Sequence, residues 1–295
     1  MTHHALRGLG TALITPFQAD GNIDFPALQN LIAFVSEGSQ YLVVNGTTGE
    51  SATTSAAEQI ELLSFVRDHN VKNLPIVLGI GGNNTSVVLD RIKSTDFSGV
   101  TALLSVCPYY NKPSQAGVIA HFQAIAEASP VPVLLYNVPG RTVTSMSAQT
   151  VAELAQHPNI IGLKDASCSV EEAMKLLKFC PSDFLLISGD DNLVTAQISL
   201  GYQGVISVIG NGFPVEFGQL VQDALAGNFT QAAAMQLRFL DFDTLLYVES
   251  NPVGIKKVCE IKGLCRATVR LPLVEATEEL GKKLKDSMIQ EGFWS

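Results

Sequence analysis

"VPVLLYNVPGRTVTSMSAQTVAELAQHPNIIGLKDAS", residues 131–167, carries two short apolar runs, "PVLLYNV" and "IIGLKDA", on either side of a polar, helix-permissive stretch. Both runs are continuously rather than alternately hydrophobic. That is the pattern of strands covered on both faces, as in a parallel sheet wrapped by helices. The same unit recurs along the chain: "LGTALIT", "YLVVNG", "PIVLGIG", "VTALLSV", "FLLISG" and "GVISVIGN" complete a set of eight runs. Their starts lie about 20 to 35 residues apart, the spacing of successive βα units.

The intervening stretches carry helix signals of their own. Ser55 to Glu58 and Ser169 to Glu172 are S-x-x-E capping boxes, each ahead of an i, i+3, i+4 apolar pattern, and they read as crossover helices. Eight units predict an α/β fold, a closed (β/α)8 TIM barrel over residues 1–225. From about residue 229 to 292 only helical periodicity remains, broken by "ESNPVG" and "RLPL". Residues 226–295 are therefore expected to form a C-terminal helical extension. A doubly wound sheet with a helical cap is the alternative, because strand order is not legible in sequence; eight regular units favour the barrel.

The 295 residues are 46% hydrophobic and carry a net charge of −9, with a mean hydropathy of +0.24. This is the composition of a globular protein rather than a disordered or membrane one. No run approaches the roughly 20 apolar residues of a membrane span, and "MTHHALRGLG" lacks the apolar core of a secretory signal, so a cytoplasmic location is expected. Cys107, Cys168, Cys180, Cys259 and Cys265 form no CxxC pair and read as reduced thiols. The acidic balance disfavours nucleic acid. The histidines show no metal-ligand spacing beyond the His3–His4 pair, so no metal and no cofactor is expected.

In a barrel, chemistry gathers at the C-terminal ends of the strands. Those ends are polar here: "NGTTGES", "CPYYNKP", "YNVPGRT", "LKDAS" and "SGDD" follow strands two, four, five, six and seven. Of twelve lysines, only Lys164 falls within a strand run. Its bland reading is a stem packed on apolar surface with the ammonium in solvent or paired with Asp165, although neighbours on a strand point to opposite faces. A buried ammonium costs several kcal/mol unless paired or neutralised, and a neutral amine is a nucleophile able to form a Schiff base with a carbonyl.

Tyr136 ends the run that precedes the lysine's own in a sequential barrel, where a phenol can serve the amine as acid or base, or simply cap the core. "GTTGE" offers two hydroxyls and a turn whose N–H groups can form a nest for a carboxylate, though it also suits an ordinary βα turn. "GIGGNN" breaks the dinucleotide spacing, with Asn84 where a third glycine is required. Of seven arginines, Arg141 alone reads as lying at a barrel mouth, and its fork suits a carboxylate. Tyr109 and Tyr110, between Pro108 and Pro113, resemble an interface patch.

Taken together, "GTTGES", "PYYNKPSQ", "YNVPGRT", "GLKDAS" and "SGDD" resemble, in order and spacing and nearly end to end, the dihydrodipicolinate synthase family among the class I pyruvate-dependent aldolases, which include N-acetylneuraminate lyase. The resemblance implies a condensation of pyruvate with aspartate semialdehyde in lysine and diaminopimelate biosynthesis. It implies that Lys164 forms the imine and that Tyr136 is its acid/base group, linked to Thr47 and to Tyr110 in a proton relay. In the family, the tyrosine matching Tyr110 enters a neighbouring subunit's site. A homo-oligomer is therefore implied, commonly a tetramer built as a dimer of dimers. Thr48 would hold the pyruvate carboxylate, Arg141 the carboxylate of aspartate semialdehyde, and Gly189 and Ile206 would line the pocket through their backbones.

The arginine of "NVPGRT", and "GTTGE" rather than "GSTGE", separate the synthase from sialic-acid lyases, which with a catalytically silent barrel are the competing readings. Gly140 stands where some members carry serine, a change that bears on loop flexibility more than chemistry. Ser51, Ala52, Asn83 and Tyr109 match the family's lysine effector site. Gln59 and Val87 replace its histidine and glutamate, which implies weak or absent inhibition.

Overall fold

The computed structural model describes residues 5–294, so the His3–His4 pair lies outside the described residues. Eight strands, β1 (Gly8–Ala12), β2 (Tyr41–Val44), β3 (Ile76–Gly79), β4 (Val100–Val106), β5 (Val133–Asn137), β6 (Ile160–Asp165), β7 (Leu185–Ser188) and β8 (Gly204–Ser207), form a closed barrel in sequence order. Every pairing is parallel, and the ring shuts where β1 pairs with β8, Gly8 opposite Gly204 through Thr11 opposite Ser207. The barrel reading holds, and the doubly wound alternative falls with it.

The crossovers between strands carry α1 (Phe25–Val35), α2 (Ala56–His69), α3 (Thr85–Ser94), α4 (Gln115–Ala128), α5 (Ala148–Leu154), α6 (Val170–Phe179) and α7 (Val194–Leu200), and α8 (Pro214–Leu225) follows β8. Ser55 forms the full capping box with Glu58 at the start of α2. At Ser169 only half of the box forms: its side chain accepts from Glu172 N. Three further helices follow, α9 (Phe229–Tyr247), α10 (Val253–Ile261) and α11 (Glu278–Gln290). They dock through aromatic edges, Phe213 and Phe217 of the barrel side against Phe239, Phe242 and Phe293, with Phe239 and Phe293 stacked at 4.3 Å. Among the described residues, no helix is long and apolar enough to cross a membrane.

Strand alternation produces two cores. On β5, Val133 and Leu135 face the helices, whereas Leu134 and Tyr136 face the barrel interior. That interior is filled by side chains such as Tyr41, Val43, Leu104 and Ile187 rather than left as a pore, the expected packing of this barrel. Space for the Tyr41 ring comes from Gly10, where a Cβ would fall 2.0 Å from a ring carbon.

Between α3 and α4, buried His121 bonds Thr85 Oγ1 at 2.8 Å. Burial pushes its imidazole down to about 4, against about 6.5 in an unfolded chain. Between those values the unfolded chain binds more protons, so this contribution to stability is present above pH 6.5 and is lost as pH falls towards 4. Urea unfolding across that window should show a loss that His121→Gln reduces. An identical pH slope in the variant would contradict the assignment.

Candidate active site

Parallel register brings the first two candidates together. Tyr136 on β5 pairs with Lys164 on β6, so both side chains face inward. Lys164 Nζ sits 4.2 Å from the centre of the Tyr136 ring. The two residues are only 8% and 7% exposed. Asp165, one residue on, points to the helical side, where its carboxylate accepts from Tyr202 Oη at 2.8 Å and from Ser167 N at 3.0 Å. The Lys164–Asp165 pairing of the bland reading therefore does not form. Among the described residues no carboxylate lies within ion-pair distance of the Lys164 amine.

A second buried lysine sharpens this contrast. Lys256 on α10 is fully buried, but it is ion-paired with Glu50 at 2.5 Å and donates to Thr268 O at 2.8 Å. Lys256 has the partners of a structural cation; Lys164 has an aromatic ring and a cavity.

That cavity, about 260 Å³, opens at the C-terminal ends of the strands and is lined by Thr47, Thr48, Tyr136, Arg141 and Lys164 together with Arg91. None of its lining residues is acidic. A chain of net charge −9 thus keeps three cationic side chains around one hollow, an arrangement that concentrates small anions. Arg141 stands on a one-turn helix, Pro139–Thr142. Among the described residues it makes no ion pair.

Arg91 corrects the sequence reading, in which Arg141 alone lay at a barrel mouth. It reaches the cavity from α3, donating to Gly81 O at 3.4 Å and to Gln59 Oε1. These neutral acceptors leave its charge uncompensated. Gln59 is itself committed, its amide donating to Ser51 O at 2.8 Å and to Thr54 O at 3.1 Å.

Thr47 and Thr48 lie on the turn after β2, closed by Gly49 N to Gly46 O at 3.1 Å and Glu50 N to Thr47 O at 3.0 Å. Among the described residues the N–H groups of Thr47 and Thr48 find no backbone acceptor outside helices and strands, the condition for an anion nest. Glu50 takes a left-handed φ of 54° and is anchored from the C-terminal region. Besides Lys256, the Arg270 N–H donates to its second oxygen at 3.0 Å, and Asn251 Nδ2 donates to Thr48 Oγ1 at 3.1 Å.

The remaining candidates lie differently. Tyr110 is 88% exposed with φ 74° and does not line its own chain's cavity, whereas Tyr109 does. Gly189 lies behind the lysine, where a Cβ would meet Lys164 Cε at 3.0 Å. Ile206 is buried in the interior core of the barrel, and neither it nor Gly189 is part of the cavity wall.

The family model described as "Dihydrodipicolinate synthetase family" matches residues 5–291. The 4-hydroxy-tetrahydrodipicolinate synthase of Cytophaga hutchinsonii is 50% identical over 97% of both chains. That of Flavobacterium psychrophilum is 46% identical over 95% of this chain and 96% of its own. Among solved structures, dihydrodipicolinate synthase from Aquifex aeolicus superimposes with a TM-score of 0.93 at 34% identity, covering 97% of this chain and 98% of that one.

Proposed function

The chain belongs to the dihydrodipicolinate synthetase family, and on that premise we propose how its residues carry out the reaction of 4-hydroxy-tetrahydrodipicolinate synthases, a class I aldolase condensation of pyruvate with L-aspartate 4-semialdehyde. The observation that carries this reading is the buried Lys164 amine, without a carboxylate partner and 4.2 Å from the Tyr136 ring centre, in a cavity whose only charges are positive.

Lys164 Nζ attacks the ketone carbon of pyruvate, and water leaves as the imine forms. A proton removed from the adjacent methyl group gives the enamine, whose carbon attacks the aldehyde of the second substrate, and the new alkoxide takes up a proton. The substrate's own amine then displaces the lysine, closing the ring and freeing Nζ. Tyr136 is the group placed to move these protons, with Thr47 as its relay. Thr48 and the adjacent N–H groups hold the pyruvate carboxylate, and Arg141 receives that of the aldehyde. Gly189 leaves room for the lysine stem, where a Cβ would meet Lys164 Cε at 3.0 Å, and Ile206 packs in the interior core, so both stand outside the cavity wall. Catalysis rests on orientation and on the covalent link.

Borohydride reduction in the presence of pyruvate, followed by peptide mass analysis, tests this reading: the label is expected on the peptide bearing Lys164. An unlabelled protein, or a label elsewhere, would overturn it. Tyr136→Phe should still form the adduct at saturating pyruvate but turn over about 10²- to 10⁴-fold more slowly, the usual contribution of a general acid/base. Unchanged steady-state kcat would remove Tyr136 from the relay.

The active unit is a homo-oligomer, a tetramer as a dimer of dimers, in the cytoplasm. Support comes from Tyr110, held outward at 88% exposure instead of in its own cavity, where a second copy could receive it. Residues 1–225 form the catalytic barrel and 226–295 a helical region, a division supported by the end of α8 at Leu225. Inhibition by lysine is weak or absent. Gln59 is committed to Ser51, Thr54 and Arg91, Val87 offers no carboxylate, and the Arg91 guanidinium repels an effector's ammonium. A titration should leave the rate unaltered at submillimolar lysine; strong inhibition there would refute this.

A further inference from the structure

Thr48 and Asn251 are 203 positions apart in the chain, yet Asn251 Nδ2 donates to Thr48 Oγ1 at 3.1 Å in a buried contact. A threonine hydroxyl has one hydrogen to give and two lone pairs to receive. The amide nitrogen accepts nothing, so the contact uses a lone pair of Thr48 and leaves its hydrogen unspent. Among the described residues no side chain or carbonyl receives that hydrogen, and Thr48 lines the cavity. Asn251 lies behind it, 7% exposed and outside the cavity wall. The Asn251 Oδ1 atom is buried without a donor among the described residues.

We propose that Asn251 is a positioning residue for the keto acid: by donating to Thr48 Oγ1 it turns the Thr48 hydroxyl hydrogen towards the substrate carboxylate. The proposal rests on Thr48 holding the pyruvate carboxylate. It makes a residue of the C-terminal region part of the substrate site without any contact between that residue and substrate.

The test exploits shape. Asn251→Asp keeps the outline but exchanges the donor for an acceptor, which captures the Thr48 hydrogen and sets a negative charge behind the carboxylate. Asn251→Ala removes the donor and leaves the hydrogen free to rotate. The KM for pyruvate should rise about 10- to 100-fold in Asn251→Asp, the worth of a hydrogen bond to a charged group, and clearly less in Asn251→Ala, with kcat at saturating pyruvate little changed in both. A merely structural asparagine would make alanine as harmful as aspartate. Equal KM values in the two variants, an unaltered KM in Asn251→Ala, or a loss confined to kcat, would overturn the proposal.

Graded borohydride labelling of Lys164 gives the same comparison without turnover, since the pyruvate concentration for half-labelling should shift with KM. Labelling at saturating pyruvate in every variant separates this proposal from the imine mechanism, which fails only if the unaltered enzyme takes no label. Should Asn251→Asp not fold, Asn251→Ala made in the unaltered chain and in Thr48→Val decides in its place. If Asn251 acts through the Thr48 hydroxyl, alanine should raise the KM for pyruvate in the first background and add nothing in the second; an equal rise in both would overturn the proposal.

Discussion

Lys164→Met is expected to yield a folded barrel that takes up no label from pyruvate and borohydride and whose kcat is lower by at least about 10³-fold, as befits loss of a covalent nucleophile. Methionine fills the volume of the lysine stem with an unbranched apolar chain. The site is 8% exposed and the amine has no carboxylate partner among the described residues, so no ion pair is broken and no opposite charge is stranded. Folding and catalysis should therefore separate. An unfolded variant would assign Lys164 a structural role, and turnover within tenfold of the unaltered enzyme would exclude the imine.

Lys256→Met should do the reverse, striking stability first. Its side chain and that of Glu50 are 0% and 2% exposed, and Lys256 Nζ also lies 4.1 Å over the Phe17 ring. Burial lowers the ammonium's pKa while Glu50 opposes that shift. Removing the cation strands a carboxylate in the interior, which costs about 3–5 kcal/mol. The double variant Lys256→Met, Glu50→Gln should recover much of that loss, because an uncharged pair no longer needs compensation. Urea unfolding of the two variants checks this: a single-variant loss below about 1 kcal/mol, or no recovery in the double variant, would show that the pair is not the anchor of the turn after β2.

Architecture was legible in the sequence because a parallel barrel writes itself locally. Each of the eight strands falls on one of the continuous apolar runs, β1 starting one residue ahead of its run, and each crossover has room for its helix. The Lys164–Tyr136 pair was legible in part: both residues stand near the ends of neighbouring strand runs, but the register that puts them on one face, shifted by an irregularity between Val133 and Leu134, comes from the structure. What escaped was everything delivered from outside the strand ends by tertiary contact. Arg91 on α3 reads as an ordinary polar helix residue, and no local spacing announces that its guanidinium turns into the cavity. Lys256 reads likewise, one lysine of an adjacent pair, although its burial is complete. Asn251 sits in "ESNPVG", a stretch that signals only a break between helices, and its partner is 203 positions upstream. Charge search among strand ends finds nucleophiles; it does not find the residues that hold them in place.

Closure of the ring between β1 and β8 has a consequence for how the protein is made. The first strand leaves the ribosome with one edge unpaired and keeps it so until the residues of β8, nearly two hundred positions later, have been translated. At about 5–20 residues per second, that is a wait on the order of ten to forty seconds. Throughout it, a nascent chain presents an open strand of apolar sequence, the kind of edge on which aggregation starts. Overproduction should therefore favour insoluble material from chains terminated before β8 far more than from chains terminated after it.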